Sequence, residues 1–422
     1  MTNIPPQSGC FDTDQADTLP VRTAQHRILD SIVSISGMEV IPVANALHRI
    51  LETPVRSSLN VPAHTNAAVD GFALKGCELP DQGKFKQFQI IGQALAGKPY
   101  TGVIGSTQAV SIMTGAALPE GADTVVMQEH VKRRDGVILV DDRHRPGENV
   151  RQAGEDIQRG EIVFQPGKYL LPPDLGLISS LGLVEITAKR KLRVALLSTG
   201  DEILPPGTPH EPGRLFDSNR FSLIGALHKL PVDILDYGIV PDDPAQLHQT
   251  FQQVGRRCDV VISSGGVSVG EADFTKQVLR KMGNIDFWKV AIKPGRPLAF
   301  GRIEDALFFG LPGNPVAVLV TFYLFVLPAL FKLSGAEPVP SMPSFPAKTL
   351  ERLRKKPGRT EFQRGILSRS KEGHWEVKLS GKQGSGVLTS MTRANCFIVL
   401  EHDRGRVEQG EWVEVAPFSM WM

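Results

Sequence analysis

Residues 260–276 read VVISSGGVSVGEADFTK. An apolar run, Val260 to Ile262, enters a stretch made only of Ser, Gly and Val, and Glu271, Asp273 and Lys276 follow at once. Gly265, Gly266 and Gly270 let the backbone turn tightly and approach a ligand with no Cβ in the way. Their N–H groups, with the start of the following helix, offer donors to an anion such as a phosphate. The neighbouring carboxylates oppose an anion unless a cation sits between them. Magnesium does this by taking one or two carboxylates together with phosphate oxygens and water. A plain strand-to-helix connection with Asp as a cap is the competing reading, so the flanking sequence decides.

Outward from this stretch the chain alternates. RVALLSTG (193–200), VDILDYGIV (232–240), CDVVISSGG (258–266) and IDFWKVAI (285–292) have strand character. DSNRFSLIGALHKL (217–230), PAQLHQTFQQVGRR (244–257) and DFTKQVLRKMG (273–283) have helical character, the first opening on capping residues. This order predicts an α/β domain with an open, largely parallel sheet. Ligands bind such sheets beyond the carboxyl ends of the strands. Five segments should meet there: Ser198–Glu202, Pro241–Asp243, the glycine loop with Ser268 and Asp273, Lys293–Pro297, and Leu311–Pro315. The nearby carboxylates would serve a Mg²⁺, and Lys289, Lys293 and Arg296 would balance the remaining negative charge. Each segment alone is an ordinary turn or cap; their convergence points to an anion and metal site.

The other segments read differently. TAQHRILDSIV (23–33) has a helical apolar face, and PVANALHRIL (42–51) repeats that style. From about residue 60 to 153, short apolar runs are broken by Gly, Pro and Asp, a β pattern. The expected division is a discontinuous N-terminal domain (22–59 and 154–190), an inserted β-rich domain (60–153), the α/β domain (191–338), and a C-terminal β barrel (339–422). A short helix is expected at PPDLGLISSLG (172–182), and a long apolar one near 315–334 closes the α/β domain. The proline-rich GAEPVPSMPSFP (335–346) leads into the barrel, whose strands lie in EFQRGILSR, HWEVKLS, CFIVLEH and EWVEVAPF.

Bulk properties exclude several classes. A chain of 422 residues has room for two to four domains. A net charge of +2 gives nucleic-acid binding no support. Four scattered cysteines without a CxxC pair read as reduced thiols of an intracellular, cytoplasmic protein. The first twenty residues lack the basic and apolar regions of a signal peptide. The apolar stretch 317–331 is short for a membrane span and contains Pro328, which favours a buried helix. The ten histidines show no metal spacing. Further candidates are Asp70 in NAAVDGFAL, Thr114 beside Gly115, Asp156 in GEDI, and Arg359, Arg364, Lys382 and Ser385 near the C-terminus; individually these are turns and solvated faces.

MTGAALPEGADTVVMQE, STGDEI, SSGGVSVGEADFTK, AIKPGRPLAFG and GLPGNPVAV together resemble the molybdopterin molybdenumtransferases, the MoeA family of molybdenum cofactor synthesis. The resemblance runs from about residue 22 to the C-terminus. It implies four domains, an α/β domain similar to molybdopterin adenylyltransferases, and a homodimer whose active site is shared between subunits. It implies molybdate and adenylylated molybdopterin as substrates, AMP as a product, Mg²⁺ as cofactor, and a molybdopterin adenylyltransferase as a candidate delivery partner. No nucleic-acid or membrane partner is expected. By motif, Asp70, Asp156, Asp273, Lys289 and Lys293 match catalytic positions, and Glu202 and Asp242 match metal positions. Thr114, Gly265, Gly266, Ser268, Arg296, Pro312 and Pro315 match substrate-binding positions, with Arg364 and Ser385 at the molybdate end. Two departures stand out: Val69 where relatives often have Met, and Arg296 where many have Lys. The rival readings are an adenylyltransferase that makes the AMP adduct and a dimeric scaffold without catalysis.

Overall fold

The computed structural model describes residues 18–266 and 274–420. Its central element is a six-stranded sheet. Strand Leu192–Thr199 lies between Val232–Val240 and Val260–Ser264, parallel to both. Ala306–Leu311 continues the parallel set, and Pro297–Ile303 and Asn284–Lys289 add two antiparallel strands at the far edge. Val260–Ser264 and Ala306–Leu311 are buried at every residue, as expected for parallel strands covered on both faces. The period of two assigns the side chains. Val194 and Leu196 join one core with Leu223, Leu227 and Phe325, whereas Ala195 and Leu197 face Leu247, Phe251 and Leu279 on the other side.

The helices follow from local chemistry. Helix Pro244–Arg257 starts with proline at its first position, and its cap Asp243 accepts from Gln246 N–H at 2.7 Å. Leu247, Phe251 and Val254 form its buried stripe. The long apolar segment forms Pro315–Thr321, one wider π turn at Phe322–Val326, and Leu327–Leu333. The wide turn directly precedes Pro328, which has no N–H to close the ladder. This segment is the one described helix long and apolar enough to span a membrane; 72% of that stretch is buried in the protein, against the sheet.

Before the α/β domain, the two arms of the chain pair with each other. Met38–Pro42 pairs with Glu185–Lys189, Val55–Arg56 with Ile162–Phe164, and Asn66–Ala67 with Val150–Arg151, all antiparallel. Between them stands a separate six-stranded sheet built from residues 71–141. The helical expectation for PVANALHRIL is corrected. Only Val43–Asn45 forms a single 3₁₀ turn. His48 takes a left-handed φ of 63°, and Ile50 and Leu51 form bridges to Tyr169 and Ala188. Its apolar residues are buried by strand-like pairing with the returning arm, which outweighs local helical spacing.

At the C-terminus, five strands close a barrel, because Thr360–Arg369 pairs with both Trp375–Leu379 and Cys396–Leu400. Phe345–Thr349 and Trp412–Pro417 complete the circuit. One short strand, Ile292–Lys293, leaves the α/β domain and pairs with Thr360 and Glu361 of the barrel. The segment carrying Lys293 is therefore stitched to both units.

Candidate functional site

A cleft of about 980 Å³ opens where the carboxyl ends of the parallel strands face the barrel. The loop after Leu192–Thr199 brings Glu202 to its wall, and the loop after Val260–Ser264 brings Gly265 and Gly266. Pro312 and Pro315 come from the turn between Ala306–Leu311 and the long apolar helix. Lys293 and Arg296 come from the stitched segment, and Ser385 from a barrel loop with Arg359 nearby on the wall. Four of the five expected strand-end segments thus meet, and Pro241–Asp243 is the one that does not line the cleft.

The two glycines have a steric reason to be there. Gly265 and Gly266 adopt φ of 94° and 65°. A Cβ at Gly265 would lie 2.6 Å from the Thr199 carbonyl oxygen, and one at Gly266 would lie 2.6 Å from Thr275 Oγ1 and 2.7 Å from Thr199 Oγ1. Both hydroxyls are buried with no hydrogen-bond partner among the described residues. The loop packs so closely that only glycine fits its conformation.

Other predicted residues sit elsewhere. Asp242 is half-buried and does not line the cleft; its N–H donates to Asp201 Oδ1 at 3.1 Å. It follows Val232–Val240, the edge strand, one place further from the glycine loop than Glu202. Lys289 ends the antiparallel edge strand opposite Pro297 and is half-buried, also outside the lining. Asp156 is exposed on the returning arm, where its N–H donates to the Val61 carbonyl. Ser268 and Asp273 lie outside the described residues.

Asp70 and Thr114 stand together in the inserted sheet, away from the cleft lining. The Thr114 N–H and Oγ1 both donate to Asp70 Oδ1 at 2.7 Å. These bonds, the backbone one foremost, hold the Asp70 carboxyl below its ordinary pKa.

Arg364 occupies a different place from the one expected of a ligand-binding arginine. It is 1% exposed. Its guanidinium donates to Ser390 Oγ and the Gly384 carbonyl, each at 3.0 Å, and at longer range to the carbonyls of Phe362 and Lys382. Burial pushes its pKa down to about 10, which leaves it charged at neutral pH. It stands behind the Lys382–Gly386 loop and supports it, while Gln383, Gly384 and Ser385 of that loop face the cleft.

Sequence reasoning missed Asp217, Ser218 and Asn219, which line the cleft at the start of helix Asn219–Leu227. Asn219 Nδ2 donates to Ser264 Oγ at 2.9 Å and to the Gly313 carbonyl at 2.7 Å, tying two cleft loops together. Asp217 is buried; it accepts from Ser198 Oγ at 3.1 Å and pairs with Arg220, which also binds Asp236. Asp-Ser-Asn reads as a helix cap, and the available signal is its place just before a helix in a ligand-binding type of domain.

Comparison with known proteins agrees with this architecture. Residues 19–182 match the MoeA N-terminal region (domain I and II), 195–332 a "Probable molybdopterin binding domain", and 346–418 the MoeA C-terminal region (domain IV). The chain is 44% identical to a molybdopterin molybdenumtransferase of Haemophilus influenzae, over 86% of this chain and 89% of that protein. It is 32% identical to one of a Nostoc species, over 86% and 85%. The crystal structure of the molybdopterin biosynthesis MoeA protein of Pyrococcus horikoshii superposes with a TM-score of 0.82 at 28% identity, covering 95% of this chain and all of that one. Three consecutive family regions and a relative this similar across nearly its full length place the chain in the MoeA family of molybdopterin molybdenumtransferases.

Proposed function

We propose that the protein inserts molybdenum from molybdate into adenylylated molybdopterin, with release of AMP, to give the molybdenum cofactor. The observation that carries this is the cleft that gathers Gly265, Gly266, Lys293, Arg296 and Ser385 between the α/β domain and the barrel. The loop N–H groups and the Lys293 and Arg296 cations suit the phosphates of the adenylylated substrate. Arg296 presents a bidentate fork where a lysine would offer a point charge. The barrel loop with Ser385, backed by Arg364, suits the tetrahedral molybdate oxyanion. The reaction cleaves a phosphoanhydride and couples that cleavage to formation of molybdenum–sulfur bonds at the dithiolene.

Magnesium belongs to this proposal. Glu202 on the wall and Asp242 beyond the end of the neighbouring strand offer hard carboxylate oxygens, with Asp273 as the further candidate. Among the described residues no group of three His, Cys, Asp or Glu closes into a cage, and Mg²⁺ needs none, since phosphate oxygens and water fill its sphere. When bound, the ion would neutralise charge on the departing phosphate. Lys289 and Asp156 remain candidates for catalysis from outside the cleft wall.

A homodimer belongs to it as well. Asp70 and Thr114 form a pre-arranged polar pair that does not line the cleft of its own chain. A partner subunit placing its pair over the cleft would complete the site. A molybdopterin adenylyltransferase is the proposed source of substrate, and the cytoplasm the proposed location.

The deciding experiment measures AMP release from adenylylated molybdopterin with and without molybdate and Mg²⁺. Release that depends on both is expected. Tight binding without release would favour a carrier or scaffold. Formation of the adduct from ATP and molybdopterin would favour an adenylyltransferase.

A further inference from the structure

Lys293 has a buried carboxylate behind it, that of Glu361. Its Nζ lies 3.3 Å from both carboxylate oxygens of Glu361. Glu361 is 3% exposed, whereas the Lys293 side chain is about half exposed, at 49%. The contact is fixed by the backbone, because the Ile292–Lys293 strand pairs in parallel with Thr360–Glu361 and sets the two residues opposite each other. Gln363 pins the carboxylate from the other side: its Nε2 donates to Glu361 Oε2 at 3.1 Å and to the Arg354 carbonyl at 3.0 Å. The buried Lys355 is near but is spent on the carbonyls of Lys356 and His402.

The surroundings separate Glu361 from ligand. It does not line the main cleft; it lines an adjoining hollow of about 360 Å³ whose wall shares Lys293, Pro294 and Gln383 with that cleft. Glu351, Arg352 and Arg354 are the other charged residues of this hollow besides Arg364. The other charged residues of the cleft wall are the cations Arg296 and Arg359 and the carboxylates Glu202 and Asp217. Glu361 therefore acts on the cleft through Lys293.

We infer that Glu361 is a positioning residue that holds the Lys293 ammonium against the barrel and makes oxyanion capture a competition between its own carboxylate and the incoming anion. The inference deepens the proposed function and rests on Lys293 facing the substrate oxyanion. The carboxylate cannot follow the ammonium, since Gln363 and the paired strands hold it. An oxyanion must draw Lys293 outward or share it, and it meets the negative charge behind it in either case. A weak anion is rejected by this arrangement, and a dianion presented together with the other cleft donors is accepted.

The test uses the full chain and titrates adenylylated molybdopterin in the AMP-release assay at saturating molybdate, with inorganic phosphate as competing anion. Glu361→Gln keeps the shape and the bond to Gln363 but removes the charge. The expected result is a KM for adenylylated molybdopterin and a Ki for phosphate both lowered by about tenfold, the order set by one partly screened charge about 6 Å away, with kcat changed far less. Glu361→Asp, which keeps the charge but draws it back, should give an intermediate KM and serves if the Gln variant fails to fold. Lys293→Met is the control and should raise KM. A raised KM in Lys293→Met with an unchanged or raised KM in both Glu361 variants overturns the competition alone. An unchanged KM in Lys293→Met overturns the anion-binding reading of Lys293, and this inference with it.

Discussion

Thr114 gives Asp70 two hydrogen bonds from a single residue, one from its N–H and one from its hydroxyl, both 2.7 Å long and both to Oδ1. The pair joins the turn before strand Gly71–Leu74 to the residue two beyond strand Gln108–Ile112, so the carboxylate is aimed by the sheet itself. Both bonds favour the charged form and depress the Asp70 pKa. Because the folded value lies below the unfolded one, the stabilisation is present above the ordinary carboxylate range and is lost as pH falls through the folded value. Thr114→Val should raise the Asp70 pKa back toward its ordinary value in a carboxyl NMR titration. An unmoved titration would mean the hydroxyl contributes nothing to the charged form.

If the Asp70 pair completes the partner's cleft, two variants that lose turnover at limiting substrate should rescue each other. Asp70→Asn and Lys293→Met, co-folded as a mixture, should regain about a quarter of wild-type AMP release, because half the dimers are mixed and each mixed dimer holds one intact site. No recovery, with mixed dimers confirmed by mass, would place both residues in a site built by one chain.

The glycine loop tolerates no side chain. Gly266→Ala would force a Cβ against Thr275 and Thr199 at a φ of 65°. A loss of about 2 kcal/mol is expected in urea unfolding, from left-handed strain plus overpacking, together with weakened AMP binding. Full stability with full binding would show that the loop can shift without cost.

Arg364 should behave as a support. Arg364→Met would leave the Gly384 carbonyl and Ser390 Oγ without their charged donor in a buried place. The expected loss is about 2–4 kcal/mol, with a KM effect from the displaced Ser385 loop. Arg364→Lys should not restore it, since an ammonium cannot reproduce the fork. A variant of wild-type stability with abolished molybdate saturation would instead put the guanidinium on the ligand.

Parts of this site were legible as residues following strands. Gly265, Gly266, Lys293, Arg296, Pro312 and Pro315 announced themselves because small, cationic and rigid residues collect where parallel strands end, and the cleft unites them. Asn219 was hidden because the same residue type caps helices, and nothing local tells a cap from a tie between two distant loops. Arg364 was misplaced for a related reason. It lies within EFQRGILSR, a stretch of strand character, and strand alternation turns its side chain inward against residues 382–390. PVANALHRIL shows the limit of periodicity, since its apolar spacing suits a helix while its partner strands lie more than a hundred residues away.

By itself the sequence determined the alternation that builds the α/β sheet, the glycine conformations of its ligand loop, the β character of the flanking units, and the family. These depend on short-range sterics and on periodicities that a few residues suffice to express. Only the tertiary structure decided which charges share a wall, that Ile292–Lys293 belongs to the barrel as well as to the α/β domain, and that Lys293 is backed by Glu361. Such pairings are made between segments dozens of residues apart, and the free energy of burying a carboxylate beside an ammonium is set by neighbours that no local pattern records.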